Sequence, residues 1–420
     1  MASTTLTKTF GSTGNRKIFT ISTWLKRAST ARNFILSTYE GSGFTDSNAL
    51  NLSFDTSGII SIETGSSSLR QTSAVYRDVS AWYHLVLAVD TTQATASNRL
   101  KLYINGSEVT SFTTNNNVAQ NTDMAWNHIW LHRIGASSGP SLYFDGSMAS
   151  FYSIDGQALT PSSFGETDAT TGIWKPKSYA GSYGTNGFFL KFENSGSLGT
   201  DSSGNGNNFT VNGTPTQTVD TPSNVFCTLN PLDKNTITSA GGTVTFTNGN
   251  LTGVADNGEA SGTFAVSKGK WYFECRQNTG GGNPSNGIGW YPLGTSKEIL
   301  YRDTAVFRYD GGTENAYGAV WYNSGDIVGV ALDLDNTTIS YYKNGVSQGN
   351  AKTDLEAGTY MPLVLLRTAG YSISVNFGNG RFGTTAISSP FSDGAGLGKF
   401  QYQPPTGYYS LCTKNINIYG

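Results

Sequence analysis

The feature that most constrains this chain is a recurring local pattern. Runs of about five to eight residues rich in Val, Ile, Thr, Tyr and Phe are each closed by Gly, Asn, Asp or Ser. β-Branched and aromatic side chains suit a pleated, half-buried surface, and the closing residues suit turns. The pattern therefore predicts an all-β sandwich architecture. No apolar stripe at i, i+3, i+4, i+7 runs long enough to predict a substantial helix. In residues 19–26, Phe19, Ile21, Thr23 and Leu25 fall on one face of a strand by the two-residue period. Residues 82–90 form a second strong strand. Residues 99–104 form a third and lead into Asn105-Gly106, the pair that best tolerates the two positive φ angles of a type I′ hairpin, with a return strand over 108–113.

Composition excludes several classes. The 420 residues carry 27 Lys plus Arg against 29 Asp plus Glu, a net charge of −2, without a basic block. That lacks the electrostatic footprint of a nucleic-acid binder. The 22 Phe, 22 Tyr and 8 Trp supply ample surface for a core, which excludes a disordered chain. No run of ~18 apolar residues predicts a membrane span. The polar start, Met1 to Lys8, has no apolar signal core, which predicts synthesis and folding in a cytosol. Cys227, Cys275 and Cys412 are too few and too scattered for a disulfide framework or a zinc site and read as small buried hydrophobes.

Between about Asn194 and Thr221 the sequence turns to Gly, Asn, Thr and Pro, which predicts a linker and two domains, 1–223 and 224–420. The second half repeats the style of the first. Residues 269–275, 326–334, 338–343, 361–366 and 371–377 read as strands, and Asn344-Gly345 signals another hairpin. Leu102-Tyr103-Ile104-Asn105-Gly106 is echoed by Tyr341-Tyr342-Lys343-Asn344-Gly345, as expected of two related sandwiches in tandem. The final residues, 415–420, read as an added strand.

The first half resembles a laminin-G-like, concanavalin-A-type domain through residues 19–26, 81–90 and 101–106. A longer string, residues 151–166 continuing through Thr171-Gly172-Ile173-Trp174-Lys175-Pro176-Lys177 to Phe188, is similar to laminin-G-like proteins of tailed phages. The second half resembles a SPRY (B30.2-like) domain through Lys268-Gly269-Lys270-Trp271-Tyr272-Phe273-Glu274, Gly287-Ile288-Gly289-Trp290, residues 325–333 and 341–345. The resemblances imply a concanavalin-A-like jelly roll followed by a SPRY-like sandwich, both antiparallel, and modules that bind more often than they catalyse.

The chemistry-bearing residues fit that reading. A glycosidase needs two carboxylates facing each other across the sugar bond. Glu166-Thr167-Asp168 lies in a predicted loop without a third acid, and Asp333-Leu334-Asp335 ends in a turn. His128-Ile129-Trp130-Leu131-His132 has the i, i+4 spacing of a zinc helix but lacks the neighbouring Glu and reads as a strand with His128, Trp130 and His132 on one face. The third histidine, His84, sits inside a core-like strand. Asp201-Ser202-Ser203-Gly204-Asn205-Gly206-Asn207-Asn208 spaces oxygens as a hard cation takes them. It reads first as a turn, with Ca²⁺ on Asp201, Asn205 and Asn207 as the alternative; no cofactor is required. Loop aromatics that could stack on sugar faces are Trp126, Tyr179 and Tyr183 in the first half. In the second half they are Tyr291, Tyr301, Tyr309 and Tyr322, beside Arg302.

The expectation that follows is a bacteriophage virion protein without catalytic function. It would be assembled in the host cytoplasm and displayed on the particle in a tail fibre or other appendage, binding host-surface glycan or protein. Its other partners would be virion proteins and further copies of itself, trimers being common in such appendages. A capsid decoration or cement protein is the alternative, and a glycan hydrolase the least favoured. Neither heptads nor collagen-like repeats supply a shaft, so the chain would be a globular head or adaptor.

Overall fold

A computed structural model describes residues 4–39, 49–65, 67–139, 141–234, 242–280, 286–295, 297–309 and 314–420. Among them regular structure is almost entirely antiparallel strand. The exceptions are two 3-10 turns, Ala96–Asn98 and Pro161–Ser163, and one helix, Thr413–Tyr419. The chain divides into two compact units, Met1–Gln217 and Thr218–Gly420. The division falls six residues before the boundary expected from composition, because the polar segment after Gln217 is already tied into the second unit. The amide of Phe226 donates to Asp220 Oδ1 (3.3 Å), that of Val225 to Thr413 Oγ1 (3.0 Å), and that of Lys414 to Asn224 Oδ1 (3.2 Å).

The first unit packs an eight-stranded sheet on a six-stranded one. In the six-stranded sheet, Ile18–Arg27 lies between Gly146–Asp155 and Tyr83–Asp90, and Leu100–Ile104 follows on the far side of Tyr83–Asp90. Phe19, Ile21 and Leu25 face inward with Leu85, Leu87 and Val89, as the period-two reading requires. They meet Leu36, Leu52, Ile62 and Ile134 from the other sheet. Each such buried side chain contributes about 1.5–3 kcal/mol through apolar area removed from water. The expected turn forms, with Asn105 at φ 48° and Gly106 at φ 84°, but its return strand is only Ser107–Glu108 and not 108–113: the chain then crosses to the other sheet, where Phe112–Asn115 pairs with Ser67–Thr72.

The opposite face of the six-stranded sheet is not left to solvent. Val86, Ala88, Tyr152, Ile154 and, from the edge strand Phe188–Leu190, Phe189 point outward and are covered by Phe164, with Leu159, Tyr179 and Tyr183 packed around them. Most of this cover comes from residues 156–187. Thr20 ties it to the central strand: its hydroxyl donates to the Gln157 carbonyl (2.7 Å) and accepts from the Leu159 amide (2.8 Å).

The second unit packs two seven-stranded sheets. One runs in the order Leu229–Lys234, Gly258–Gly262, Tyr360–Leu366, Gly287–Pro292, Ile299–Arg302, Val306–Tyr309, Glu314–Ala316. The other has Lys270–Gln277 at its centre, between Ser372–Asn376 and Ile327–Asp333. Trp271, Phe273, Cys275, Trp290, Tyr301 and Tyr341 meet in the core, and Asn344-Gly345 turns with φ 49° and 81°. Here too the outer face of one sheet is covered. Residues after the sandwich proper fold back so that Phe400 packs edge-on against Tyr272 (5.0 Å) and Tyr409 pairs with Trp271.

Two local expectations are corrected. The chain's last residues form the helix Thr413–Tyr419, not a strand. The alternation Asn415-Ile416-Asn417-Ile418 mimics a two-residue period. Burial instead follows the helical one: Asn415 is fully buried, Ile416 and Tyr419 pack on the core, and Ile418 is 67 % exposed. Around His128 the strand is only Leu131–Ile134. Asn127 takes a left-handed φ of 65° and its amide donates to His132 Nε2 (3.1 Å), so His128 and Trp130 lie in the preceding bend.

Candidate recognition surface

The titratable groups that could do chemistry in the first unit are built into its framework. His84 sits on the covered face of Tyr83–Asp90, stacked on Trp24 (4.7 Å). The Trp174 indole, which only donates, gives its N–H to His84 Nδ1 (3.0 Å), so the ring proton is on Nε2 and donates to Ser22 Oγ (2.8 Å). Burial pushes this imidazole down to about 3. His132 has the other tautomer: Nδ1–H donates to the Trp130 carbonyl (2.9 Å) while Nε2 accepts from Asn127. Burial lowers it to about 4. Both rings are neutral packing elements at neutral pH.

Asp155 ends its strand inside an amide knot. Oδ1 accepts from the Asn15 amide (2.7 Å) and Asn127 Nδ2 (3.2 Å), and Oδ2 from the Asn186 amide (2.9 Å). Glu166 and Asp168 flank Lys175 across the short hairpin Gly165–Thr167/Trp174–Pro176, with Lys175 Nζ 3.5 Å and 3.0 Å from them. These acids, expected in a loop, thus pair with one lysine rather than face each other.

The Asp201 loop does not fit a calcium ion. Asp201 Oδ1 accepts from the amides of Phe189 (2.9 Å) and Ser203 (2.8 Å), and Oδ2 from the Ser203 hydroxyl and the Asn207 amide (both 2.8 Å). Asn205 Nδ2 donates to the carbonyls of Gly184 (2.7 Å) and Gly187 (2.9 Å), and Asn207 Nδ2 to those of Thr185 and Gly187 (both 3.0 Å). A cation would have to displace donors from its one carboxylate. Among the described residues, no group of three or more His, Cys, Asp or Glu could hold a metal. The loop's composition is accounted for by a polar staple beneath the cover.

The aromatic candidates separate by burial. Trp126 is 0 % exposed, donates its indole N–H to Ser153 Oγ (2.9 Å) and meets His132 edge-on: it is core, not a stacking platform. Tyr301 is likewise 0 % exposed, between Tyr317 and Tyr341. Tyr291 and Arg302 are 6 % and 5 % exposed. Tyr291 donates to Met361 Sδ (3.5 Å). Burial lowers the Arg302 guanidinium while Glu314 and Glu298 support its charge. These four cannot stack on a ligand as they stand. Tyr309 lies under Lys352 Nζ (4.2 Å), and Tyr322 is half-buried. Tyr309 pairs with Ile299, on the strand that carries Tyr301, and packs against the same core.

Tyr179 and Tyr183 are brought together, edge to face at 5.3 Å, and continue through Phe164 and Tyr152 to Phe189. At the end of this aromatic row opens a cleft of about 260 Å³, lined by Tyr152, Phe189, Ser150, Lys177, Lys191 and Glu193 among others. Its polar members were not legible beforehand. Ser150 lines it because the strand Gly146–Asp155 bulges between Ala149 and Tyr152, with Ser150 at φ 50°.

In the second unit the outstanding group is Glu274, fully buried beneath the returning segment. Its Oε2 accepts from the Gln401 amide (2.8 Å) and Asn376 Nδ2 (3.2 Å), and its Oε1 from the Tyr402 amide (2.9 Å). Burial outweighs these donors and raises the carboxyl to about 7.

Both folds now have counterparts. Residues 3–163 match the model of the concanavalin A-like lectin/glucanases superfamily, and residues 270–380 that of the SPRY domain. The N-terminal unit is a concanavalin-A-like, laminin-G-type domain and the C-terminal unit carries a SPRY domain. The chain is similar to Ran-binding protein 9 of Danio rerio, 35 % identical over 124 residues, which make up 27 % of this chain and 20 % of that protein. For Ran-binding protein 9 of Homo sapiens the identity is 35 % and the shares are 27 % and 17 %. The chain thus spans about a fifth of the length of these curated relatives. Among solved structures it is similar to the SPRY domain of human HERC1, with 16 % identity, 35 % of this chain and 96 % of that one covered, and a TM-score of 0.28. A heptameric SAP-like pentraxin from Limulus polyphemus gives 16 % identity, 37 % and 71 % coverage, and a TM-score of 0.28.

Proposed function

We propose that the chain is a structural protein of a bacteriophage virion, displayed on the particle in a tail fibre or other tail appendage. There its first unit holds a host-surface glycan or protein without transforming it. The observation that supports this reading most is the placement of the string 151–188. The stretch that resembles laminin-G-like proteins of tailed phages starts and ends in strands of the six-stranded sheet, and between them, over 156–187, folds as an added layer that carries the two paired tyrosines and borders the cleft. Loops held on a rigid sandwich are where binding residues concentrate. The SPRY unit gives the chain a second docking module, suited to another virion protein; the name of the Ran-binding relatives points to a bound partner for those proteins.

The test is adsorption. Purified chain should bind host cells and compete with infection, and labelled antibody should mark the tail. A chain that does neither overturns the proposal. If particles lacking the protein adsorb normally but lose resistance to heat and osmotic shock, the decoration role replaces it.

A further inference from the structure

We infer that the strand Thr243–Thr247 of the second unit is a docking edge for a second copy of this chain, the two strands pairing antiparallel about a twofold axis at Thr245. This pairing does not depend on what the first unit recognises. The strand ends its seven-stranded sheet: among the described residues Thr252–Asp256 is its one strand neighbour. A sheet edge invites another strand, and proteins blunt edges by brevity, by bulges, by Pro or charge, or by a cover. Among the described residues the other seven edges of the four large sheets are all blunted. Glu314–Ala316, Thr210–Asn212 and Ser107–Glu108 are two or three residues long. Phe112–Asn115 and Leu229–Lys234 break register with their neighbours, and the latter carries Pro231, Asp233 and Lys234. The far side of Phe188–Leu190 is closed by residues 201 and 202, the Ser202 amide donating to the Phe189 carbonyl (2.7 Å). Val346–Lys352 shifts register twice, and its Gly349 carbonyl accepts from the Tyr317 hydroxyl (2.6 Å).

Thr243–Thr247 has none of these devices. Its five residues pair with Thr252–Asp256 in unbroken register, and none is Pro, Gly or charged. Thr243, Thr245 and Thr247 are exposed, while Val244 is buried. The strand is also held in place beforehand. Its hairpin turns through Asn248, Gly249 and Asn250, all at positive φ, and Asn248 Nδ2 donates to Thr252 Oγ1 (3.1 Å). From the facing sheet the bare backbone of Gly258 presses on it: a Cβ there would lie 2.8 Å from Val244 Cγ2. An edge fixed in this way loses little freedom on pairing.

The sequence of the edge names its occupant. Read in either direction, Thr-Val-Thr-Phe-Thr alternates threonine with an apolar residue. About a twofold axis Thr243 therefore meets the partner's Thr247, Val244 the partner's Phe246, and Thr245 the partner's Thr245. These are Thr–Thr and β-branched–aromatic pairs, both favourable across strands, with no charge to repel. Each copy offers one such edge, so the association closes at two.

The experiment is light scattering and sedimentation of the full chain over a concentration series, which should show a monomer–dimer equilibrium. Thr245→Lys sets two ammonium groups opposite each other and should weaken the dimer at least about tenfold, while Thr245→Val should keep it. Thermal melts of the dilute variants should match the parent, since Thr245 is exposed. Under mild oxidation Thr245→Cys should give a disulfide-linked dimer. Thr243→Cys alone should not, but mixed with Thr247→Cys it should. The native Cys227, Cys275 and Cys412 are buried and stay out of the reaction. A chain that is monomeric at every concentration, a trimer, a dimer indifferent to Thr245→Lys, or cross-linking of Thr243→Cys to itself in preference to Thr245→Cys would overturn the inference.

Discussion

The two units cover an outer sheet face in parallel ways with opposite chemistry. In the first, residues 156–187 place Trp174 over Gly106, whose absent Cβ would lie 2.9 Å from the indole. In the second, the returning C-terminal segment places Tyr402 over Gly345, where the gap would be 2.6 Å. Each glycine is the second residue of an Asn-Gly turn at positive φ, so the turn that makes the hairpin also seats the cover. Beneath the first cover lies a neutral imidazole fixed by Ser22 and Trp174. Beneath the second lies the Glu274 carboxyl, fixed by backbone amides. In each clasp the turn glycine and the buried group, Gly106 with His84 and Gly345 with Glu274, lie within the family matches, while the covering aromatic, Trp174 or Tyr402, lies beyond their ends at 163 and 380.

The contrast predicts opposite responses to acid. His84 is pushed below its ordinary 6.5 to about 3, so its stabilising contribution is present above 6.5 and is lost as pH falls toward 3, on the order of 5 kcal/mol at full loss. Glu274 is raised from 4.5 to about 7, so its contribution is complete below 4.5 and is lost as pH rises through 7, on the order of 3 kcal/mol. Amide exchange, corrected for intrinsic rates, should show residues 401 and 402 better protected at pH 5 than at pH 8, and the first unit's cover less protected. Parallel trends in both units would break the comparison.

Trp174→Ala removes the indole from Gly106 and Gly165 and leaves His84 Nδ1 without its donor. It should cost about 3 kcal/mol in denaturant unfolding of the first unit. Glu274→Gln removes the ionisation but puts an amide nitrogen, which cannot accept, where one carboxyl oxygen takes backbone and side-chain donors. It should flatten the pH dependence of the second unit while costing about 2 kcal/mol at pH 5. Asp201→Ala strands four donors and should cost about 2 kcal/mol. The smallest effect expected is from Ca²⁺: millimolar additions should leave the melting temperature where it was, and a rise would restore the cation to the Asp201 loop.

The strands and both hairpins were legible because period-two burial and Asn-Gly turns are local signals, carried by residues such as Phe19, Ile21 and Asn344. The covers were not. Residues 156–187 have no period, and what they bury is decided by contacts distant in the chain, such as Thr20 with Gln157. Loop position alone did not tell Trp126 and Tyr301, which point inward, from Tyr179 and Tyr183, which line the cover. The lysines bordering the cleft come from separate segments, Lys177 tied to the Ser162 carbonyl and Lys191 just after the strand Phe188–Leu190, and no local period links them. The terminal helix was hidden by an alternation that suits a strand, and is decided by Asp393, which accepts from Asn415 Nδ2 at 2.8 Å.

The claim on which the rest depends is that the first unit's capped face does the recognising. The direct measurement is host-cell binding by the full chain, comparing Lys177→Glu with Lys191→Glu on that face against Lys414→Glu, an exposed lysine of the second unit. The account predicts at least a tenfold loss for the first pair and none for the second. Equal losses, or a loss confined to the second unit, would contradict it.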